Sequence, residues 1–90
     1  MLTNKIVFIT GGASGLGKIL VETAIQNEAK VFFTYRKSVE KAKELVERHG
    51  NNVFAYEADA SDYTAAEAAV GKCIEVYGTI DVLINNAGLF

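Results

Sequence analysis

The sequence is poor in cysteine, in long apolar runs and in excess charge of either sign. Its 90 residues include one cysteine, Cys73, which cannot form an internal disulfide. A disulfide-stabilised secreted scaffold is therefore excluded, and a reducing compartment fits. The clean apolar runs at residues 6–9 and 82–84 are far too short to cross a bilayer. The N-terminus has no secretory signal pattern, so we expect a cytoplasmic protein with no membrane partner.

The charges are nearly balanced. Nine Lys and Arg residues against eleven Asp and Glu residues give a formal net charge of −2. Such a chain carries no basic surface for nucleic acid, so we expect no nucleic-acid partner. His49 is the only histidine and offers no cluster of metal ligands, so we expect no metal site.

Apolar runs typical of buried strands alternate with segments of helical periodicity. We predict strands at residues 6–9, 31–34, 53–58 and 82–84, separated by three helices, in the order βαβαβαβ. This alternation is typical of an α/β protein with a parallel sheet covered on both faces. Right-handed crossovers predict the strand order 3-2-1-4. Residues 1–90 are thus predicted to form part of a Rossmann-type doubly wound sheet, incomplete as it stands.

Each helix is predicted to bury one apolar stripe. In the first helix the stripe comprises Leu16, Ile19, Leu20, Thr23 and Ala24. The second helix is predicted from the Ser38 cap to about His49, ended by Gly50, with an inner face of Val39, Ala42 and Val46. The third is predicted to open with a capping box at residues 64–67 and to bury Ala66, Val70, Cys73, Ile74 and Tyr77.

A glycine-rich loop joins the first strand to the first helix. Residues 10–17 read Thr-Gly-Gly-Ala-Ser-Gly-Leu-Gly. A tight turn needs residues without Cβ, and the free N–H groups at a helix N-terminus attract an anion. The position of this loop, after a strand and before a helix, favours a pyrophosphate site over a ligand-free turn.

The same loop also matches the P-loop pattern GxxxxGK over residues 12–18, which would indicate a nucleoside triphosphatase. That pattern requires Ser or Thr next, to bind Mg²⁺, and Ile19 stands there. We also expect Ile19 to lie in the buried stripe and Lys18 to face solvent. The P-loop interpretation is therefore the weaker one; it predicts Mg²⁺-dependent ATP binding.

Together, the TGxxxGxG loop, the Asp59-Ala60 pair, Gly78-x-Ile80-Asp81 and the Asn-Asn-Ala-Gly run at residues 85–88 resemble the short-chain dehydrogenase/reductase family. The resemblance is to the single-domain branch of the family. Within that branch, the chain as a whole is most similar in character to 3-oxoacyl-carrier-protein reductases and bacterial glucose dehydrogenases. The resemblance implies that the pyrophosphate and adjoining ribose are held by Gly11, Ser14, Gly15, Leu16 and Gly17. It implies adenine contacts from Asp59 and Ala60. It implies that the adenosine ribose side is lined by Asn86, Ala87 and Gly88, while Asn85 helps to hold the sheet together.

The end of the second strand bears on the choice of cofactor. An acidic residue there selects NAD, whereas an arginine accommodates the 2′-phosphate of NADP. This strand ends Thr34-Tyr35-Arg36-Lys37 without a carboxylate. Arg36 can bind a phosphate with forked hydrogen bonds, and Tyr35 can add a hydroxyl. NADP(H) is therefore favoured over NAD(H), although Ser14 occupies a loop position where many NADP-preferring relatives carry a basic residue.

The family's catalytic residues, a Ser and a Tyr-x-x-x-Lys pair, have no counterpart that we can assign. No tyrosine in the chain is followed four residues later by lysine. The resemblance thus implies a parent NADP(H)-dependent oxidoreductase that acts on a small carbonyl/alcohol pair and is a homo-oligomer at full length. Residues 1–90 would be the N-terminal, dinucleotide-binding half of its Rossmann domain, supplying cofactor binding but no catalytic residue. The alternative is a non-catalytic nucleotide-binding module.

Overall fold

A computed structural model describes residues 1–87. Its regular elements alternate along the chain as follows: β1 Ile6–Thr10, α1 Gly15–Gln26, β2 Lys30–Tyr35, α2 Val39–His49, a 3-10 turn Gly50–Asn52, β3 Val53–Glu57, α3 Tyr63–Tyr77 and β4 Val82–Asn85. The strands form one parallel sheet in the order β3-β2-β1-β4. The predicted α/β class, the alternation and the strand order are confirmed.

The sheet is covered on both faces because successive side chains of a strand point to opposite sides. Val7 and Ile9 of β1 face α1 and α2, in a cluster that also holds Phe33. Phe8 faces α3 on the other side. There the ring of Phe32 stacks between Phe8 and Phe54, at centroid distances of 5.2 and 5.3 Å. These three residues are register partners, so the stack ties β1, β2 and β3 together.

The buried stripe of α1 differs from the predicted one. The helix buries Gly17, Val21 and Ala24, while Ile19 is 59% exposed. The close approach of Gly17 to the Gly11 carbonyl fixes the rotation of α1. The residues four and seven positions later, Val21 and Ala24, therefore face the sheet. The expected burial of Ile19 was wrong and cannot argue against the P-loop pattern. The missing Ser or Thr at position 19 still does.

In α2 the bounds are confirmed, but the inner face is centred on Ala42 and Leu45. Val39 and Val46, predicted to be inside, are 38% and 37% exposed. A helix of 11 residues with few apolar positions allows several rotations, and contact with β3 selects this one. Gly50 ends the helix at the predicted position, with a φ of 57° and a ψ of −126°, a combination that glycine adopts without a Cβ penalty.

The cap of α3 is Asp62 rather than the predicted capping box at Thr64. The Asp62 carboxylate accepts hydrogen bonds from the backbone N–H groups of Thr64, at 2.9 Å, and of Ala65, at 3.2 Å. Because the helix begins at Tyr63, Thr64 already lies inside its first turn.

The buried face of α3 also differs from the predicted one. The helix buries Ala69 and Cys73, while Val70 and Ile74 are 41% and 45% exposed. Small residues therefore form the contact with the sheet, which lets the helix lie close to the ring stack.

Strand β4 pairs with β1 only, within the part of the chain that the structure describes. Its side chains alternate between half-buried and exposed, and Leu83 is 63% exposed. Leu83 is therefore an exposed apolar side chain at this edge of the sheet. Among residues 1–87, no helix is both long and apolar enough to span a membrane.

Candidate functional site

The carboxyl ends of all four strands surround a cavity of about 360 Å³. Because the strands are parallel, residues that lie far apart in the chain meet at this edge. The cavity is lined by Gly11, Thr34, Tyr35, Arg36, Ala58, Asp59, Ala60, Ser61, Asn85 and Ala87. It adjoins the point between β1 and β4 where the direction of strand succession reverses, the place where open parallel sheets bind their ligands.

The glycine loop is fixed against the end of β2. Its Gly12 N–H donates to the Thr34 carbonyl at 3.0 Å, and the Gly11 N–H lies 3.4 Å from the Thr34 hydroxyl. Gly11 has a φ of 68°, a conformation that glycine adopts without a Cβ penalty. The loop therefore turns immediately after β1 and leaves the space above the strand ends open.

Residues that follow β4 hold the other side of this loop. The Thr10 hydroxyl donates to Asn85 Oδ1 and accepts from the Ala87 N–H, both at 3.0 Å. The side chain of Asn86 is buried, and its Nδ2 donates to the Gly11 carbonyl at 3.1 Å. Asn86 Oδ1 is also buried and has no hydrogen-bond partner within residues 1–87. Asn85 and Asn86 thus join β4 to β1 and to the loop.

The N-terminus of α1 faces outward from the loop. Ser14 precedes the helix in an extended conformation, and within the described range its hydroxyl makes no capping bond. Gly15 and Leu16 lie exposed in the first turn, whereas Gly17 is buried against the Gly11 carbonyl. The first N–H groups of the helix therefore lack a side-chain acceptor from the cap, the arrangement that favours an anion at this end.

A second cavity, of about 310 Å³, lies on the other side of Arg36. It is lined by Gly11, Ala13, Ser14, Tyr35, Arg36, Lys37 and Ser38. Two cationic side chains and two hydroxyl-bearing serines converge there beside the glycine loop. A phosphate group matches this combination of donors.

Asp59 forms the acidic wall of the first cavity. Its Oδ1 accepts from the Ser61 hydroxyl at 2.7 Å and from the Ser61 N–H at 3.0 Å, while Oδ2 lies 3.5 Å from Arg36 Nη2. The two hydrogen bonds from Ser61 lower the pKa of Asp59 against the opposing effect of desolvation, and the positive charge of Arg36 adds a smaller lowering effect. The carboxylate is therefore ionised at neutral pH.

The structure brings most of the predicted site residues to one edge of the sheet. The first cavity is lined by Gly11, Tyr35, Arg36, Asp59, Ala60 and Ala87, and Ser14 lines the second. Two predicted residues, Asn86 and Gly17, lie behind the loop and shape it. Gly15 and Leu16 are at the helix N-terminus, outside both cavities. The twelfth, Gly88, lies outside the described residues.

Sequence reasoning missed three hydroxyl residues that organise this edge. Thr10 and Thr34 bind the loop and the end of β4, and Ser61 fixes Asp59. A threonine at the end of an otherwise apolar strand was the available signal for the first two. Ser61, two residues after Asp59, has the spacing of a local side-chain turn.

Comparison with known proteins agrees with this geometry. A family model described as short chain dehydrogenase matches residues 5–90. The chain is 40% identical over 89 residues to cis-2,3-dihydrobiphenyl-2,3-diol dehydrogenase of Pseudomonas putida. The aligned segment covers 99% of this chain and 32% of that protein. It is 34% identical to the short-chain dehydrogenase/reductase homolog YusS of Bacillus subtilis, covering 96% of this chain and 82% of the relative.

Solved structures give the same result. A short-chain dehydrogenase/reductase from Serratia marcescens superposes with a TM-score of 0.92 at 35% identity, over 99% of this chain and 38% of that one. A 3-ketoacyl-(acyl-carrier-protein) reductase from Brucella melitensis, complexed with NADH, gives 0.86 at 29% identity, over 92% of this chain and 34% of that one. The chain spans about a third of the length of these two proteins and of the Pseudomonas enzyme.

Proposed function

Because the chain belongs to the short chain dehydrogenase family, we propose that its sheet edge binds the adenosine diphosphate half of NADP(H) within an oxidoreductase. The observation that carries this proposal is the position of Arg36 beside the glycine loop, between two cavities at the carboxyl ends of the strands. In the parent protein the substrate would be a small carbonyl/alcohol pair. The diol in the name of the Pseudomonas relative is one example of such an alcohol.

The residues present fit a dinucleotide. A Cβ built on Gly15 would meet nothing within 4 Å, so space is open in front of the first turn of α1 for a pyrophosphate. The buried, unpaired Asn86 Oδ1 leaves an acceptor at the loop, within the described residues, for a hydroxyl or N–H donor. When bound, the nicotinamide supplies hydride transfer. The residues of this chain hold and orient the other half of the molecule.

Each group has a proposed role. The pyrophosphate is bound by the N–H groups at the start of α1. The residues that form this end of the helix are Ser14, Gly15, Leu16 and the close-packed Gly17. Asp59 and Ala60 border the adenine, whereas Asn86, Ala87 and Gly88 border its ribose. The 2′-phosphate of NADP(H) would lie against Arg36, with the Tyr35 hydroxyl close by. These assignments remain predictions. The same holds for a cytoplasmic location and for a homo-oligomeric state of the full-length protein.

Dinucleotide titrations of the full-length protein and its Arg36→Gln variant test this proposal. Hydrogen bonds to charged groups contribute about 1.5–3 kcal/mol, which corresponds to roughly tenfold to a hundredfold in affinity. We expect Arg36→Gln to weaken NADPH binding by that factor and to leave NADH binding nearly unchanged. The dissociation constants are measured by the change in nicotinamide fluorescence.

Arg48→Gln is the matched control, since it removes the same charge from α2, where Arg48 pairs with Glu22 and Glu44. It should leave both affinities unchanged. Equal losses of NADPH and NADH binding in Arg36→Gln would contradict the role of Arg36. Failure of the unmodified protein to bind either dinucleotide would reject the proposed function.

A further inference from the structure

Arg36 lies between the carboxylate of Asp59 and the second cavity. It lines both the first cavity, with Asp59, and the second, with Ser14 and Lys37. Its guanidinium is paired with Asp59 at 3.5 Å, and 65% of its side chain is exposed, so it has room to turn. One cation therefore lies between a fixed carboxylate and the place proposed for a phosphate.

The carboxylate of Asp59 is held in place independently of Arg36. Both hydrogen bonds to its Oδ1 come from Ser61, two residues further along the same loop. This local turn points the remaining oxygen, Oδ2, at Arg36. Asp59 therefore keeps its position and its charge whether Arg36 stays or turns away.

A 2′-phosphate and a 2′-hydroxyl place different demands on this pair. NADH leaves the Arg36–Asp59 contact intact because its ribose carries no phosphate. NADPH carries an additional phosphate with about two negative charges. To bind Arg36, this phosphate must draw the guanidinium away from Asp59 or share it with Asp59, and the carboxylate of Asp59 also repels it.

We propose that Asp59 is a specificity-determining residue that weakens the preference for NADP(H) by competing with the 2′-phosphate for Arg36. The inference rests on the proposed function, and it assigns to Asp59 a role separate from any contact with adenine. An adenine contact is common to both dinucleotides and cancels in the ratio of their affinities. Competition for Arg36 acts on NADPH alone and changes that ratio.

The test measures the dissociation constants of NADPH and NADH for the full-length protein and its Asp59→Asn variant. The amide oxygen of asparagine can still accept both bonds from Ser61, so the loop is preserved while the charge is removed. We expect the preference for NADPH over NADH to increase about threefold to fivefold, the upper part of the range for an exposed ion pair. Asp59→Ala, with the same readout, serves if the asparagine variant does not fold.

Glu57→Gln is the matched control. Glu57 ends β3, is exposed, and lines neither cavity, so removing its charge should leave the ratio unchanged. In an Arg36→Gln background, Asp59→Asn should change the ratio less than it does alone, because no cation is released.

Two results would overturn the inference while leaving the proposed function in place. One is an equal change in NADPH and NADH binding in Asp59→Asn, which would reduce Asp59 to an adenine contact. The other is the same change in ratio with and without Arg36, which would exclude Arg36 as the mediator. If the unmodified protein binds neither dinucleotide, the proposed function fails together with the inference.

Discussion

Replacement of Gly17 by alanine tests whether the close approach of α1 to the glycine loop holds the site together. A Cβ at this position would collide with the Gly11 carbonyl oxygen and lie 2.8 Å from both the Gly11 carbonyl carbon and Asn86 Nδ2. Ordinary carbon contacts lie at about 3.5–4.0 Å, so the helix must retreat by more than about 1 Å to clear the carbonyl oxygen. Retreat would separate Val21 and Ala24 from the sheet and break the bond between Asn86 and Gly11.

The magnitude follows from these losses. Overpacking costs about 1–3 kcal/mol, and the upper part of this range applies because the obstacle is backbone. A lost hydrogen bond adds about 1 kcal/mol. The better helix propensity of alanine offsets about 1 kcal/mol. We therefore expect Gly17→Ala to lower the free energy of unfolding by about 3 kcal/mol, measured for the full-length protein by urea denaturation and circular dichroism.

Gly71→Ala is the matched control. Gly71 lies in the interior of α3, where a Cβ would meet nothing within 4 Å. The same substitution should there stabilise the protein by about 0.5–1 kcal/mol, so the two variants differ in sign. An unchanged urea midpoint and slope for Gly17→Ala would refute the reasoning, because it would mean that the helix accommodates the methyl group without cost.

Two further predictions concern α3. Asp62→Ala should lower the unfolding free energy by about 1 kcal/mol through loss of the N-cap, whereas Asp62→Asn should retain most of it; thermal unfolding measures both, and equal losses would contradict the cap. Burial raises the pKa of Cys73 from 9.0 to about 11, so its thiol should react with a disulfide reagent at pH 8 far more slowly in the folded than in the urea-unfolded protein. Because the unfolded thiol ionises first, this group's contribution to stability should decrease from about pH 9 to about pH 11, and equal labelling rates would show that Cys73 is accessible.

The sequence by itself determined the architecture. Short apolar runs alternating with helical periodicity leave few alternatives to a parallel sheet, and the right-handed crossover fixes the strand order. The glycine loop was identified from its glycines and from its position between a strand and a helix. The structure shows why glycine is needed, because Gly11 turns with a φ of 68°. Such features depend on neighbours in the chain, and a linear sequence records them directly.

Tertiary contacts decided the rotation of the helices. Ile19 and Val70 were predicted inside and are exposed, while Val21 and Ala69 are buried in their place. A helix with apolar residues on more than one side fits several rotations. The close approach of Gly17 to Gly11 in α1 and contact between small residues and the sheet in α3 select one of them.

The polar connections of the site also depended on the fold. Arg36 was predicted as a phosphate ligand and Asp59 as an adenine contact, but their pairing arises only because β2 and β3 end side by side. Thr10 and Asn85, which bond across β1 and β4, are 75 positions apart in the chain. Contacts of this kind leave no periodic or local trace in a sequence, since their distances are set when the parallel strands align.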